Sequence, residues 1–337
     1  MKLYDFDKTI YKKDSTAQFY KFCLKKKPSL ARYWFLQLWA FAMYLLGIWS
    51  KTKMKEKFYS FLKPLQNVEE LVSAFWEREE KNINAWFYRE RGEGDVVVSA
   101  SPEFLLAPVC SKLGVRLIAS RVDAHTGKYT GENCWGEEKV ARLREEGVIG
   151  ADACAESAFS DSLSDLPMLR LARRAYIVRG EELIDLESYR PGTVSKLKRE
   201  FFSREFFQFL VVGVINAANG TLFGWLFSLL LPVNAAFVCG YAVALTIAYF
   251  LNTFWIFRQK LSVKKFVLFC VSYIPNFIIQ NGLVFLLYNL AHLNRVLVFA
   301  LSALIAVPIT FLCVKFLCFL KKSKGKAHDQ SKRSSDK

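Results

Sequence analysis

The stretch Lys2-Leu-Tyr-Asp5-Phe-Asp7-Lys8-Thr9-Ile10 decides how the rest of the chain is read. A short apolar strand runs into two carboxylates spaced i, i+2. The chain must turn after Asp5 for both to face one site, and the end of a strand permits that turn. Phosphoryl transfer needs a nucleophile, a metal to neutralise the phosphate and a proton donor for the leaving oxygen. Asp5 suits the nucleophile and Asp7 the general acid/base. Taken alone the string is weak, because Asp-rich strand ends are also turns and helix caps.

Three further pieces follow in an order that phosphoryl transfer can use. Val96-Val-Val-Ser99-Ala-Ser101-Pro is an apolar strand ending in a hydroxyl, with a helix start at Pro102. Ser99 and the neighbouring backbone N–H groups can hold a phosphate. Gly136-Glu-Glu-Lys139-Val opens an amphipathic helix, and Lys139 can neutralise charge on a transferring phosphoryl group. Ala158-Phe-Ser160-Asp161-Ser-Leu-Ser-Asp165-Leu-Pro-Met places two carboxylates just after another strand. Hard oxygen ligands of this kind suit magnesium.

The ordered set resembles the haloacid dehalogenase (HAD) superfamily. That resemblance implies a doubly wound parallel α/β sheet with the site at the carboxyl ends of its strands. Strands near Leu3, Val97, Leu117, Ala158 and Tyr176 would supply it. The resemblance also implies roles. Asp5 forms an aspartyl-phosphate, and Asp7 protonates the leaving group and then activates water. Magnesium sits on Asp5, the Asp7 backbone carbonyl and Asp161, with Asp165 in support, while Ser99 and Lys139 hold the phosphate. Lys8 departs from the pattern, since glycine is common at its position.

Between the first two motifs, residues 11–92 are rich in helix formers and aromatics and are read as a helical cap. The centre of this insertion, Leu30 to Trp49, is apolar and nearly long enough to span a bilayer. A single crossing is excluded, because it would put Asp5 and Ser99 on opposite sides of a membrane. A buried cap helix remains open. An interfacial or re-entrant hairpin, with tryptophans and lysines at head-group level, is preferred. Residues 1–188 also look like the bacterial HAD-type phosphatidylglycerophosphatases, through this cap, the Gly136-Glu-Glu-Lys139-Val-Ala-Arg-Leu stretch and the Asp161-Ser-x-x-Asp165-x-Pro cluster. The phosphoserine-phosphatase branch shares the four motifs, and the aromatic cap favours the lipid branch.

The composition changes after residue 190. A basic linker, 191–205, leads into 206–320, which contain no Asp or Glu. Four apolar stretches, about 206–231, 233–257, 266–290 and 296–320, each reach the approximately 20 residues that cross a hydrocarbon core. The basic run 258–265 and the basic tail 321–337, read as disordered, place both termini and the catalytic domain in the cytoplasm. Asn216, Asn219, Asn252, Asn276, Gln280 and Asn281 are polar groups within the spans, read either as interhelical glue or as a polar path. Lys315, a cation in the last span, either snorkels or meets a phosphate.

Phe209-Leu-Val-Val-Gly213-Val-Ile-Asn216 and Tyr249-Phe-Leu-Asn252-Thr-Phe-Trp-Ile-Phe257 resemble the GtrA family of four-helix membrane proteins. The resemblance implies an all-α transmembrane domain that handles polyprenyl-phosphate-linked sugars. Its partners would be membrane lipids, anionic or polyprenyl phosphate, and glycosyltransferases of a glycan pathway. A short four-span domain is expected to need further copies or partners, a homo-oligomer among them, to enclose a path.

The net charge of +16 lies beside the apolar segments rather than in a nucleic-acid-binding motif, so no nucleic acid partner is expected. Eight cysteines without a C-x-x-C and three scattered histidines exclude a zinc site or a disulfide framework. Met1 runs directly into a core strand, so no cleavable signal peptide is expected. The sequence therefore predicts a membrane-bound, magnesium-dependent phosphatase for a lipid-linked phosphate. Two alternatives stay open: a lipid-carrier flippase with a regulatory HAD domain, and a membrane-anchored phosphomonoesterase for small metabolites.

Overall fold

The computed structural model describes residues 1–150 and 154–319, apart from the side chains of some residues in the helices between 194 and 304. Asn276, Gln280 and Asn281 have side chains outside this description, as does the whole 321–337 tail. The chain divides into two compact units, Met1–Gly192 and Thr193–Lys337.

In the first unit six strands, β1 (Lys2–Tyr4), β2 (Val96–Pro102), β3 (Arg116–Ser120), β4 (Ala155–Ser160), β5 (Ala172–Arg179) and β6 (Glu182–Asp185), form one sheet in the order β3-β2-β1-β4-β5-β6. All neighbours are parallel except β5 and β6, which pair antiparallel at one edge. The five expected strands are present, and the edge hairpin adds a sixth. Alternation along each strand splits the core between two faces. Tyr4, Val97, Phe159 and Val178 pack on one side, and Leu3, Val96, Val98, Ala158 and Ile177 on the other. Helices cover both faces, as a parallel sheet requires.

Register is fixed by an aromatic ladder. Tyr4 lies opposite Phe159 and Phe159 opposite Tyr176, with rings stacked at 4.9 and 5.1 Å. Cross-strand aromatic pairs are worth up to about 1 kcal/mol each. The Asp5 N–H then donates to the Phe159 carbonyl at 2.9 Å, so Asp5 leaves the sheet beside the end of β4.

The insertion between β1 and β2 is helical: α1 (Ser15–Lys26), α2 (Trp34–Leu45), α3 (Lys51–Phe58), α4 (Val68–Glu79) and α5 (Ala85–Glu90). Asp14 caps α1 by accepting from the Ala17 N–H at 2.8 Å. The apolar run is broken up: residues 28–33 form a 3-10 turn, α2 has 12 residues, and Gly47 adopts φ +81 just beyond it. Twelve residues rise about 18 Å, well short of a bilayer core. Nor is α2 a buried helix, since Ala40 is its one buried residue. After β2 come α6 (Glu103–Lys112), α7 (Glu137–Glu145) and α8 (Leu166–Leu169).

The second unit is helical: α9 (Thr193–Phe201), α10 (Arg204–Ser228), α11 (Val233–Leu251), α12 (Val263–Val271), α13 (Ile274–Val284) and α14 (Arg295–Cys313). The segment 191–205, expected as a linker, is thus largely helical. Among the described residues two helices, Arg204–Ser228 and Val233–Ile256, are long and apolar enough to cross a membrane. The third expected span, 266–290, is not one helix. It breaks at Ser272–Tyr273, where Pro275 in the first turn of α13 has no N–H to give to the preceding turn. Phe209, Val212, Tyr249, Phe269, Phe311 and Val314 form a core shared by four of these helices and their extensions.

Candidate active site

The strand order changes direction at β1, which lies between β2 and β4. In open α/β sheets such a switch point opens a crevice at the carboxyl ends of the strands. Asp5 and Asp7 follow β1, Ser99 and Ser101 lie at the end of β2, and Ser160 and Asp161 at the end of β4.

At the base of the crevice Lys139, from the first turn of α7, is fully buried. Its Nζ donates to Asp5 Oδ1 at 2.6 Å and to Asp165 Oδ2 at 2.8 Å. Burial alone would strip this ammonium of its proton, but Asp5 and Asp165 outweigh it and hold the group charged. Ser160 Oγ also donates to Asp165 Oδ2, at 2.8 Å. Thr9 ties two motifs together: its Oγ donates to Asp5 Oδ2 at 3.3 Å and accepts from the Asp161 N–H at 2.9 Å. Burial pushes the Asp5 carboxyl up, Lys139 pulls it back, and the charges of Asp165 and Asp161 leave it at about 7.

Asp7 is held from the other side. Ser101 Oγ donates to Asp7 Oδ2 at 2.5 Å and the Ser15 N–H to Oδ1 at 2.7 Å. Burial, reinforced by Asp14, raises its carboxyl to about 6. A carboxyl in this range carries a proton near neutrality often enough to serve as a general acid. Ser99 is buried beside it, its Oγ accepting from the Ser101 N–H at 3.2 Å.

All six expected site residues of the first unit therefore converge. One has a different immediate partner from that expected. Asp165, expected in support of a metal, instead accepts from Lys139 through its Oδ2. Among the described residues no three His, Cys, Asp or Glu side chains close a metal site by themselves. The donors still fit a hard cation. Asp165 Oδ1 is buried without a partner, and Asp161, with its carboxyl raised by burial against the pull of Lys8, faces the same crevice as Asp5. Uncompensated buried carboxylate oxygens are costly, and a cation relieves that cost.

Four contributors were missed in the sequence. Thr9 and Ser101 were quoted without a role. Lys51 and Lys55 of α3 reach the crevice from the cap, and Lys55 Nζ donates at 2.9 Å to both the Ala100 carbonyl and Asn133 Oδ1. No local pattern marks a cap lysine, because its target lies 45 residues away in sequence.

In the second unit the candidates do not gather into one site. Asn216 lines a cavity of about 530 Å³ with Gly220, Thr221, Gly224, Trp225 and Tyr241. Asn252 is fully buried and spends its Nδ2 on the Ala248 carbonyl of its own helix, at 2.8 Å. Lys315 is not a free cation: it pairs with Glu200 and Glu205, which precede the apolar region and went unnoticed as partners.

Comparison with known proteins agrees with this geometry. Residues 3–170 match the haloacid dehalogenase-like hydrolase family, and residues 208–319 the GtrA/DPMS transmembrane domain. The chain joins a HAD hydrolase domain to a GtrA/DPMS membrane domain. A probable phosphatase of Mycobacterium tuberculosis is 39% identical over 92 residues, 26% of this chain and 32% of that protein. A histidinol-phosphatase of Neisseria meningitidis is 29% identical over 111 residues, 30% of this chain and 50% of that protein. The chain thus spans a third to a half of these relatives. A solved protein of unknown function from Bordetella pertussis is 24% identical, with a TM-score of 0.44 over 52% of this chain and 88% of its own. The HAD domain accounts for the convergence of four separated motifs, and the GtrA/DPMS domain for the apolar helices of a membrane-associated chain.

Proposed function

We propose that the chain is a membrane-bound phosphatase acting on a lipid-linked phosphate, of the phosphatidylglycerophosphate or polyprenyl phosphate or diphosphate type. The observation that carries the lipid reading is the outer face of α2. Phe35 is 86% exposed, Leu38 66% and Trp39 58%, on the same cap whose α3 reaches the crevice. Contiguous apolar surface of this kind marks a membrane or partner contact, and the GtrA/DPMS domain keeps the enzyme at a membrane.

In the chemistry this site supports, Asp5 attacks phosphorus. An Asp5 O–P bond forms, the P–O bond to the leaving group breaks, and Asp7 gives its proton to the departing oxygen. Water then attacks the aspartyl-phosphate, Asp7 takes its proton, and inorganic phosphate leaves with Asp5 restored. Ser99, the adjacent backbone N–H groups and Lys139 hold the phosphoryl oxygens. Magnesium held by Asp5, Asp161 and the Asp7 carbonyl, with Asp165 behind them, would supply neutralisation of phosphate charge. The relatives named as phosphatases support the reaction class.

We further infer four spans with both termini and the HAD domain on the cytoplasmic side, from the basic loop and tail. The GtrA/DPMS domain would bind or translocate a polyprenyl-phosphate-linked sugar of a glycan pathway. The small-metabolite reading remains as the alternative, favoured by the histidinol-phosphatase likeness.

Phosphate release by detergent-purified protein, from lipid phosphates and soluble phosphomonoesters, tests the proposal. We expect magnesium-dependent release from a lipid that disappears in Asp5→Asn and on chelation. Release from soluble esters alone would overturn the lipid reading.

A further inference from the structure

In-line attack by Asp5 fixes which wall of the crevice meets the leaving group. The departing oxygen lies opposite Asp5 and within reach of the Asp7 proton, so the leaving group extends toward the side where Asp7 stands. Lys55 of the cap helix α3 stands on that side, near enough to Asp7 for its charge to act on it. Ser50 caps the helix by accepting from the Lys53 N–H at 3.1 Å, and the register this sets puts Lys51 and Lys55 one turn apart on one face.

Both ammonium groups turn inward. Lys55 Nζ lies 2.9 Å from the Ala100 carbonyl, between Ser99 and Ser101, and is near enough to Asp7 and Asp14 for their charges to act on it. Lys51 Nζ sits 3.9 Å from the centre of the Trp135 ring and feels the charges of Asp165 and Lys139. The two lysines also repel each other. Among the described residues neither has a carboxylate at ion-pair distance, although Lys139 a short way below has two. Half-buried cations placed side by side without a counter-ion are unfavourable unless something anionic joins them. Lys139, paired with Asp5 and Asp165, would serve the reacting phosphoryl group together with the carboxylates that would hold a metal, which leaves Lys51 and Lys55 for another part of the substrate.

We propose that Lys51 and Lys55 form a second anion subsite on the leaving-group side, selecting phosphomonoesters whose leaving group carries its own negative charge. A phosphodiester, a second phosphate or a carboxylate would meet this requirement. The assignment rests on the phosphomonoester chemistry proposed above and is independent of whether the substrate is a lipid.

The test is calorimetric titration of the full-length, detergent-solubilised protein in saturating magnesium. The ligands are 3-phosphonopropionate and propylphosphonate, which differ only in a terminal carboxylate. We expect the first to bind roughly tenfold tighter, the scale of one added charge-assisted contact. That preference should vanish in Lys51→Gln/Lys55→Gln and return in Lys51→Arg/Lys55→Arg, which keeps charge and helix. Equal binding by the wild type, or a preference that survives the glutamine pair, would overturn the subsite.

A second arm compares kcat/KM for phosphatidylglycerophosphate and phosphatidic acid in mixed micelles. A ratio well above one that collapses in the glutamine pair identifies a phosphodiester as the second anion. If neither lipid is turned over while the phosphonate preference stands, the lipid reading falls and the subsite remains, with a carboxylate as its ligand.

Discussion

Lys8 holds φ +59, a left-handed backbone conformation, with its N–H donating to the Lys13 carbonyl at 3.0 Å. A side chain in that region costs about 1–2 kcal/mol, which explains why glycine is the expected residue at this turn. The lysine stays where its charge lowers the cost of the buried Asp161 carboxylate. Lys8→Gly should therefore raise the unfolding midpoint of the HAD domain by about 2–4 °C, the shift that roughly 1 kcal/mol produces in a domain of this size. A fall in the midpoint would mean that the charge matters more than the backbone.

Ser101 fixes Asp7 through one short hydrogen bond. Ser101→Ala frees the carboxyl to rotate, and a misplaced proton donor costs on the order of 10²-fold in rate. We expect kcat to fall by about that much in steady-state assays, with KM little changed. At Lys55, burial and then the neighbouring Lys51 lower the ammonium to about 8. The charged form, which binds an anion, predominates below that value. Affinity for 3-phosphonopropionate should therefore weaken as pH rises through about 8, with propylphosphonate nearly flat over the same range. A bound anion moves this transition upward, so parallel profiles for the two ligands would contradict the assignment.

Among the elements, α2 and the α10–α11 pair have surfaces that packing within the described chain does not fully explain. Trp34, Phe35, Leu38 and Trp39 of α2 remain exposed. Burying a large apolar side chain is worth about 1.5–3 kcal/mol, so replacing Phe35 and Leu38 with serine should lower the ratio of lipid to soluble-ester turnover by tenfold or more. An unchanged ratio would remove α2 from substrate access. In α10–α11 the backbones approach so closely at Gly240 that a Cβ there would lie 2.4 Å from the Gly224 nitrogen. Small residues at helix crossings permit this approach in membrane domains. Gly240→Ala should force the helices apart and lower the detergent-phase melting temperature, whereas Gly213→Ala, which meets nothing within 4 Å, serves as its control.

Over the whole molecule, each unit has its own core, and the covalent bond between them raises the local concentration of each at the other. A product released by one module would meet the other at about the millimolar effective concentrations that short tethers give. If the two handle related lipid phosphates, Asp5→Asn should abolish phosphate release and reduce, without abolishing, sugar-lipid movement in reconstituted vesicles. Transport wholly untouched by the substitution would favour a regulatory HAD domain over a coupled one.

The sequence by itself carried the HAD order of motifs, four apolar stretches, two of which are helices long enough for a membrane among the described residues, and the candidates Asp5, Asp7, Ser99, Lys139, Asp161 and Asp165 that the fold brings together. Each is marked by a local pattern: an apolar run of strand length that ends in a polar group, or a helix opening on a lysine. Strand ends become site walls in any parallel sheet, so their chemistry is legible before folding. The tertiary structure decided what those patterns leave out. It turned Asp165 toward Lys139, gave Lys315 two glutamates, broke the third apolar stretch at Ser272–Tyr273, and exposed α2 where a buried helix was the less favoured reading of the same residues. It also brought Lys51 and Lys55 to the crevice. These outcomes depend on partners tens of residues away, and charge and hydrophobicity act through distance in space, which neighbouring residues in a chain do not encode.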